Sequence, residues 1–324
     1  MQNAVFNIQT ESDFKTCALQ VFRHQFENNK VYRSFCDLLY INSSDVKKVE
    51  QIPFLPIQFF KSHSVLSSKN SIRETFTSSG TTGSITSKHM VTDVSWYEKS
   101  YRKGFQYFYG NIEEYTVLGL LPNYLEREGS SLIYMVDDLI KKSKRPASGF
   151  YLNNLAELSK ILIELDQKGE KVLLIGVTFA LLDLIERQQF TLQNTIIMET
   201  GGMKGRRKEI IRNELHEILC AGFGVSKIHS EYGMTELLSQ GYSNGNGVFN
   251  CPPWMKIVAR DTEDALTILD NNKTGGLNVI DLTNYNSCSF IATQDLGKVN
   301  NNGSFEILGR FDHSDIRGCN LMVL

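Results

Sequence analysis

The six cysteines of this 324-residue chain form no CxxC pair, and no Cys/His cluster has zinc spacing. That pattern argues against a disulfide framework and against a structural zinc site. Scattered thiols of this kind are expected to stay reduced in a cytoplasmic protein. Long apolar runs are missing too. The longest uncharged one, residues 172–182, has eleven residues, too few to cross a bilayer as a helix. Residues 1–16 lack a basic segment followed by an apolar stretch, so no signal peptide is expected. Neither sign of charge dominates: 34 Lys plus Arg against 36 Asp plus Glu leaves −2. Nothing in that balance favours nucleic acid or an anionic membrane as a partner. There is no internal repeat and no disordered linker.

What is present is ordinary globular composition, 41% hydrophobic and 22% charged, in a chain long enough to bury its own core. Phe14, Ala18, Leu19, Phe22 and Phe26 fall at helical spacing after Ser12-Asp13, and residues 38–40 suggest a second, shorter element. Pro53 and Pro56 force an extended passage into residues 57–61. From residue 115 onward β-like runs (115–121, 171–177, 195–199) alternate with helical stretches (131–140, 152–167, 179–188, 206–219), and a short strand is expected at 225–228. Such alternation predicts an α/β fold with a mostly parallel sheet. Residues 248–324 are rich in Gly and Asn between short apolar segments. The expected organisation is therefore an α/β core over 1–247 and a smaller β-rich part over 248–324.

Three strings carry chemistry. The first is Ser78-Ser79-Gly80-Thr81-Thr82-Gly83 with Lys88 after it, inside a Ser/Thr/Gly loop. Glycines let backbone N–H groups approach a phosphate chain, hydroxyls add donors, and a nearby lysine offsets charge. No Gly-Lys-Ser/Thr follows at the spacing of a Walker loop. The second is Tyr232-Gly233-Met234-Thr235-Glu236. A tyrosine can stack on a base, Gly233 allows a close turn, Thr235 can bond a phosphate, and Glu236 is a hard oxygen ligand suited to Mg²⁺. The third places Asp295 and Arg310 on either side of an Asn-rich turn at 300–303, so a hairpin would set them on neighbouring backbone. A carboxylate that accepts from two vicinal hydroxyls is a common way to hold a ribose.

In this order and at these separations the strings resemble those of the adenylate-forming superfamily, which includes acyl-CoA synthetases and luciferase, over residues from about 75 to the end. Ser78 to Lys88 looks like its phosphate loop, Tyr232 to Glu236 like its adenine-and-magnesium segment, and Asp295 like its ribose-binding aspartate. Gly309-Arg310 opens a stretch similar to its interdomain hinge. Gly201-Gly202 is similar to the glycine pair that packs on adenine in the phenylacetate-ligase branch. The segment 121–127 and the ending Gly309-Arg310-Phe311-Asp312-His313 through Cys319 look most like the acyl-protein synthetases of the bacterial fatty-acid reductase complex. The resemblance implies a large adenylation-type α/β domain without the superfamily's mobile C-terminal domain, since the sequence stops at Leu324. It implies ATP and Mg²⁺ as cofactors, a fatty or other carboxylic acid as substrate, and activation as acyl-AMP with pyrophosphate release. Transfer would follow to the Cys319 thiol, with Lys88 and Arg310 as catalytic cations, and Lys88 or Lys204 standing in for the absent domain's lysine. Cys319 lies nine residues beyond Arg310, a reach of about 30 Å at roughly 3.3–3.6 Å per residue. The alternatives are delivery to CoA, a carrier protein, a partner reductase or another external acceptor, or a nucleotide-binding protein without turnover.

Overall fold

The computed structural model describes residues 2–78, 85–122, 128–201 and 210–310. Three helices open the chain: α1 (Gln2–Val5), α2 (Glu11–Asn28) and α3 (Lys30–Leu38). α2 begins where Thr10 and Asp13 cap it reciprocally. The Asp13 N–H donates to Thr10 Oγ1 at 3.1 Å and the Thr10 N–H to the Asp13 carboxylate at 2.9 Å, which satisfies donors that a helix start leaves orphaned. Its buried stripe holds Phe14, Ala18, Val21, Phe22 and Phe26. Gln25 is buried in the same stripe and acts as a clamp. Its amide donates to the Asn284 carbonyl at 2.9 Å and accepts from the Ser289 N–H at 2.9 Å. The short element expected at 38–40 is the end of α3, which starts earlier because the Asn29 side chain caps it by accepting from the Tyr32 N–H at 3.0 Å.

Next come β1 (Leu55–Pro56), α4 (Phe59–Ser62), the hairpin strands β2 (Glu74–Thr77) and β3 (Lys88–Val91), and α5 (Val94–Tyr109). The alternating region follows: β4 (Thr116–Leu120), α6 (Ser131–Ser143), β5 (Gly149–Phe150), α7 (Leu155–Gln167), β6 (Val172–Val177), α8 (Thr178–Arg187), β7 (Thr195–Thr200), α9 (Arg212–Phe223) and β8 (His229–Tyr232). The last part is β9 (Gly241–Ser243), β10 (Val248–Asn250), β11 (Met255–Arg260), β12 (Thr274–Asp281), β13 (Phe290–Val299) and β14 (Phe305–Arg310).

Among the described residues, twelve strands share one sheet in the order β11-β12-β13-β14-β10-β9-β8-β7-β6-β4-β5, with β1 added to β13 in parallel. β5, β4, β6, β7 and β8 run parallel. β8–β9 and every pair from there to β11 are antiparallel. β4 and β6 are buried along their whole length, as expected of parallel strands with helices on both faces. Each Leu or Val buried there stabilises by roughly 1.5–3 kcal/mol. β11 instead alternates buried and half-buried residues.

Among the described residues the strands after 247 belong to the same sheet as those before it: β10 pairs with both β9 and β14 and joins the two halves. The strand expected at 225–228 lies at His229–Tyr232, a polar sequence that is buried throughout. The apolar residues near 266–269 form no strand and contribute one isolated bridge, Ile268 to Arg260. The switch from parallel to antiparallel falls at β8/β9. In open α/β sheets, ligands bind beyond the carboxyl ends of the parallel strands, and here those ends carry Thr200-Gly201 and Tyr232-Gly233.

Candidate active site

β2 and β3 pair with Thr77 opposite Lys88. The Ser78 N–H donates to the Ser87 carbonyl at 3.1 Å, and the Ser87 N–H donates back to Ser78 Oγ at 2.9 Å. Ser78 thus closes the neck of the Ser/Thr/Gly loop. Lys88 is exposed at its rim and Ser87 is buried. Ser79, Gly80, Thr81, Thr82 and Gly83 lie outside the described residues.

The chain leaving β8 meets this neck. Glu236 is only 5% exposed. Burial pushes its carboxyl above the usual range, opposed by a hydrogen bond with the Ser87 side chain and by the positive charges of Arg310 and Lys61. Its own carbonyl accepts from the Asn284 amide at 2.7 Å. One residue earlier, His89 Nδ1 lies 2.9 Å from the Thr235 carbonyl. Burial drives the His89 imidazole down to about 4, so it is neutral at physiological pH. Residues 238 and 239 are held by Asp281, a carboxylate with no exposure. Its Oδ2 accepts from the Leu238 and Ser239 N–H groups at 2.8 and 2.9 Å, and its Oδ1 from the Ser239 hydroxyl at 2.7 Å and the Thr283 hydroxyl at 2.5 Å.

The expected hairpin also forms. Asp295 on β13 stands opposite Arg310 on β14, with Arg310 Nε 3.3 Å from Asp295 Oδ1. The Tyr232 hydroxyl donates to Asp295 Oδ2 at 2.9 Å. The Tyr232 ring packs edge-on against Phe305 and Phe249. Burial raises the Asp295 carboxyl, while Arg310 and the Tyr232 hydroxyl pull it back. A register shift follows at Leu296/Gly297. Glycine is required there, because a Cβ on Gly297 would sit 2.2 Å from the Glu306 carbonyl oxygen. Gly233 is exposed, and Met234 and Thr235 are half-buried on the same turn.

Gly201 follows β7 with φ at +69°, a left-handed conformation that favours glycine, and its carbonyl accepts from the Thr178 hydroxyl at 2.7 Å. Gly202 lies outside the described residues. The Thr200 hydroxyl donates to Glu231 Oε2 at 2.6 Å. Glu231 is raised to about 7, chiefly by burial.

Of the residues expected at the site, the fold gathers Ser78, Lys88, Tyr232, Gly233, Met234, Thr235, Glu236, Asp295 and Arg310 around the end of β8, the paired strands β13 and β14 and the neck of the β2–β3 hairpin, with Gly201 just after the neighbouring strand β7. Cys319, Arg317, His313, Lys204 and the segment 123–127 lie outside the described residues. Among the described cysteines, burial pushes Cys36 and Cys288 up to about 12 and raises Cys251 as well, which leaves these thiols protonated and unreactive. His229 takes a hydrogen-bonding role, with Nδ1 3.2 Å from the Tyr109 hydroxyl. Lys61, His89 and Asp281 are additions that the sequence strings did not reveal. Each lies outside the motifs and reaches them only through the tertiary fold.

This arrangement is set in the fold of the adenylate-forming ligases. A structure of 2-hydroxyisobutyryl-CoA ligase in its postadenylation state superposes with a TM-score of 0.70 at 13% identity, covering 93% of this chain and 68% of that one. ATP-bound MatB from Rhodopseudomonas palustris gives 0.55 at 18% identity over 75% of this chain, and the chain spans about half of it, 49%.

The more particular likeness is to acyl-protein synthetases. Residues 5–118 match the family model "Acyl-protein synthetase, LuxE". A long-chain-fatty-acid–luciferin-component ligase of Vibrio harveyi is 23% identical over 93% of this chain and 84% of its own length. Its counterpart in Photorhabdus luminescens is 34% identical over 70 residues, 21% of this chain and 60% of that protein. The likeness thus begins well before residue 75, in the N-terminal helices.

Proposed function

We propose that the chain activates a carboxylic acid, of the fatty-acid class, by reaction with ATP and then passes the acyl group to a thiol. The observation that carries this reading is the meeting, on the segment that follows β8, of the Ser/Thr/Gly hairpin and the Asp295–Arg310 strand pair. The neck of the Ser/Thr/Gly hairpin touches Glu236, and four residues upstream on the same segment Tyr232 bonds the Asp295–Arg310 pair.

In the first step a carboxylate oxygen bonds to the α-phosphorus and the bond to pyrophosphate breaks. Two anions must approach each other, so cations and donors have to offset the repulsion. Ser78 to Gly83 and Lys88 supply them on the β- and γ-phosphate side, and Arg310 on the other. Asp295, with one oxygen already fixed by Tyr232, accepts from the ribose hydroxyls. Mg²⁺ fits this donor set. The described residues contain no cluster of three or more His, Cys, Asp or Glu able to hold a metal alone. Mg²⁺ is commonly held by one or two carboxylates with phosphates and water completing its shell, which is what Glu236 beside the Ser87 hydroxyl offers. Bound there, the ion would neutralise phosphate charge.

In the second step a thiolate sulfur attacks the mixed anhydride, its bond to the acyl carbon forms, and AMP leaves. Cys319 is the proposed thiol, within reach of the site by chain length, and Arg317 would favour its thiolate. A partner reductase would then take the acyl group. No helix among the described residues is long and apolar enough to cross a membrane. The reading places the enzyme in the cytoplasm, where the free thiols persist.

The test is pyrophosphate exchange into ATP with Mg²⁺ over a panel of carboxylic acids, followed by mass measurement of the chain. Exchange that depends on a fatty acid, with a hydroxylamine-labile acyl group on Cys319, supports the reading. Absence of exchange with every acid refutes adenylation. Acyl labelling that survives Cys319→Ser refutes the acceptor.

A further inference from the structure

We propose that His89 is a positioning residue that holds Glu236 in register with the phosphate-side hairpin by donating a hydrogen bond to the Thr235 carbonyl. The inference rests on the reading of this site as a nucleotide pocket and extends it to a residue that makes no contact with nucleotide.

His89 sits on β3, one residue beyond Lys88 and opposite Phe76. Its imidazole leaves the hairpin and reaches a segment 146 residues away, with Nδ1 2.9 Å from the Thr235 carbonyl oxygen. A carbonyl only accepts, so Nδ1 carries the hydrogen and Nε2 the lone pair. The ring is 1% exposed and stands edge-on to Phe60 of α4, centroids 5.7 Å apart at 88°. Nε2 is buried and makes no hydrogen bond among the described residues. Among the described residues the ring's one hydrogen bond is that with Thr235. An apolar side chain of similar volume would fill this place without burying a polar nitrogen. Ser87 joins the same two elements through the Glu236 carboxylate, and Asn284, from the connection between β12 and β13, holds the Glu236 carbonyl. Neither holds Thr235. Without His89 the Thr235–Glu236 peptide loses its own bond to the hairpin, and the carboxylate is held there by the Ser87 side chain alone.

A residue acting this way affects the nucleotide only through Glu236. The experiment is calorimetric titration of ATP, with and without Mg²⁺, into the wild-type chain, His89→Leu and His89→Asn, with urea unfolding of each alongside. Asn places an amide N–H near the position of Nδ1. We expect His89→Leu to weaken MgATP about tenfold, the scale of one lost hydrogen bond, and to leave Mg²⁺-free ATP unchanged. His89→Asn should bind MgATP within about twofold of wild type on the same scale. In a Glu236→Gln background His89→Leu should add nothing further. MgATP affinity unchanged in His89→Leu, equal loss with and without Mg²⁺, or His89→Asn as weak as His89→Leu each overturns the proposal. If His89→Leu does not fold, His89→Met supplies the same comparison. A wild-type chain that binds no MgATP would instead strike the reading of the site itself.

Discussion

Glu231 gives the protein a titration inside its core, and Glu231→Gln removes it. The carboxyl lies at the end of β8 with the Thr200 hydroxyl donating to it at 2.6 Å. Burial lifts it from 4.5 to about 7, the Thr200 bond opposes that rise, and the Glu199 charge adds to it. A folded value above the unfolded one means that the native state keeps a proton which the unfolded chain releases. The stabilising contribution is complete below the unfolded value and is lost as pH rises through the folded one. The interval between 4.5 and about 7 corresponds to on the order of 3 kcal/mol at 1.36 kcal/mol per pH unit. Glutamine keeps an acceptor for the Thr200 hydroxyl and cannot ionise, so the variant lacks this slope. Urea unfolding of both proteins at pH 5 and pH 8 reads it directly. The variant should gain on wild type by about 2 kcal/mol or more between the two pH values. A difference between the proteins that does not change with pH would refute the reasoning.

Other outcomes follow from the same geometry. Asp281→Asn puts an amide where a carboxylate collects main-chain and hydroxyl donors. The Ser239 and Thr283 hydroxyls can turn round to accept, but the main-chain N–H groups cannot: those of Leu238 and Ser239 point at one carboxylate oxygen and that of Thr283 at the other, 3.1 Å away, so at least one is stranded. Urea unfolding should show a loss of about 2–4 kcal/mol, and a loss under about 0.5 kcal/mol would contradict the clamp. Tyr232→Phe removes one donor to the buried Asp295 carboxylate and should cost about 1–3 kcal/mol of stability. It should also weaken MgATP, measured by calorimetry. Unchanged affinity would separate Tyr232 from the ribose side of the site. Gly297→Ala drives a methyl group into the Glu306 carbonyl and should destabilise the β13–β14 hairpin by about 2 kcal/mol or more. Wild-type stability in thermal unfolding would contradict the close approach.

The elements that the sequence made legible are those whose cause is local. β4, β6 and β7 show as continuous apolar runs because helices cover both their faces, and α6 to α8 show as helical periods between them. β8 does not, because His229-Ser230-Glu231-Tyr232 is polar and is buried only through partners elsewhere: Thr200 for Glu231, Tyr109 for His229, Asp295 for Tyr232. The same division holds at the site. Asp295 and Arg310 could be paired in advance because the turn between them fixes a hairpin. The contacts of Glu236 with Ser87, of Thr235 with His89, and of residues 238–239 with Asp281 join segments far apart in sequence, and no spacing encodes them. The union of both sheet halves through β10 was hidden for a similar reason. β10 has only three residues, too few to carry a period.

The most direct measurement is a crystal structure of the chain with bound ATP. The ribose hydroxyls are expected on Asp295 and the β- and γ-phosphates beside Ser78 and Lys88, on the Glu236 side. Nucleotide bound elsewhere, or an Asp295–Arg310 pair left untouched by the sugar, would contradict that placement.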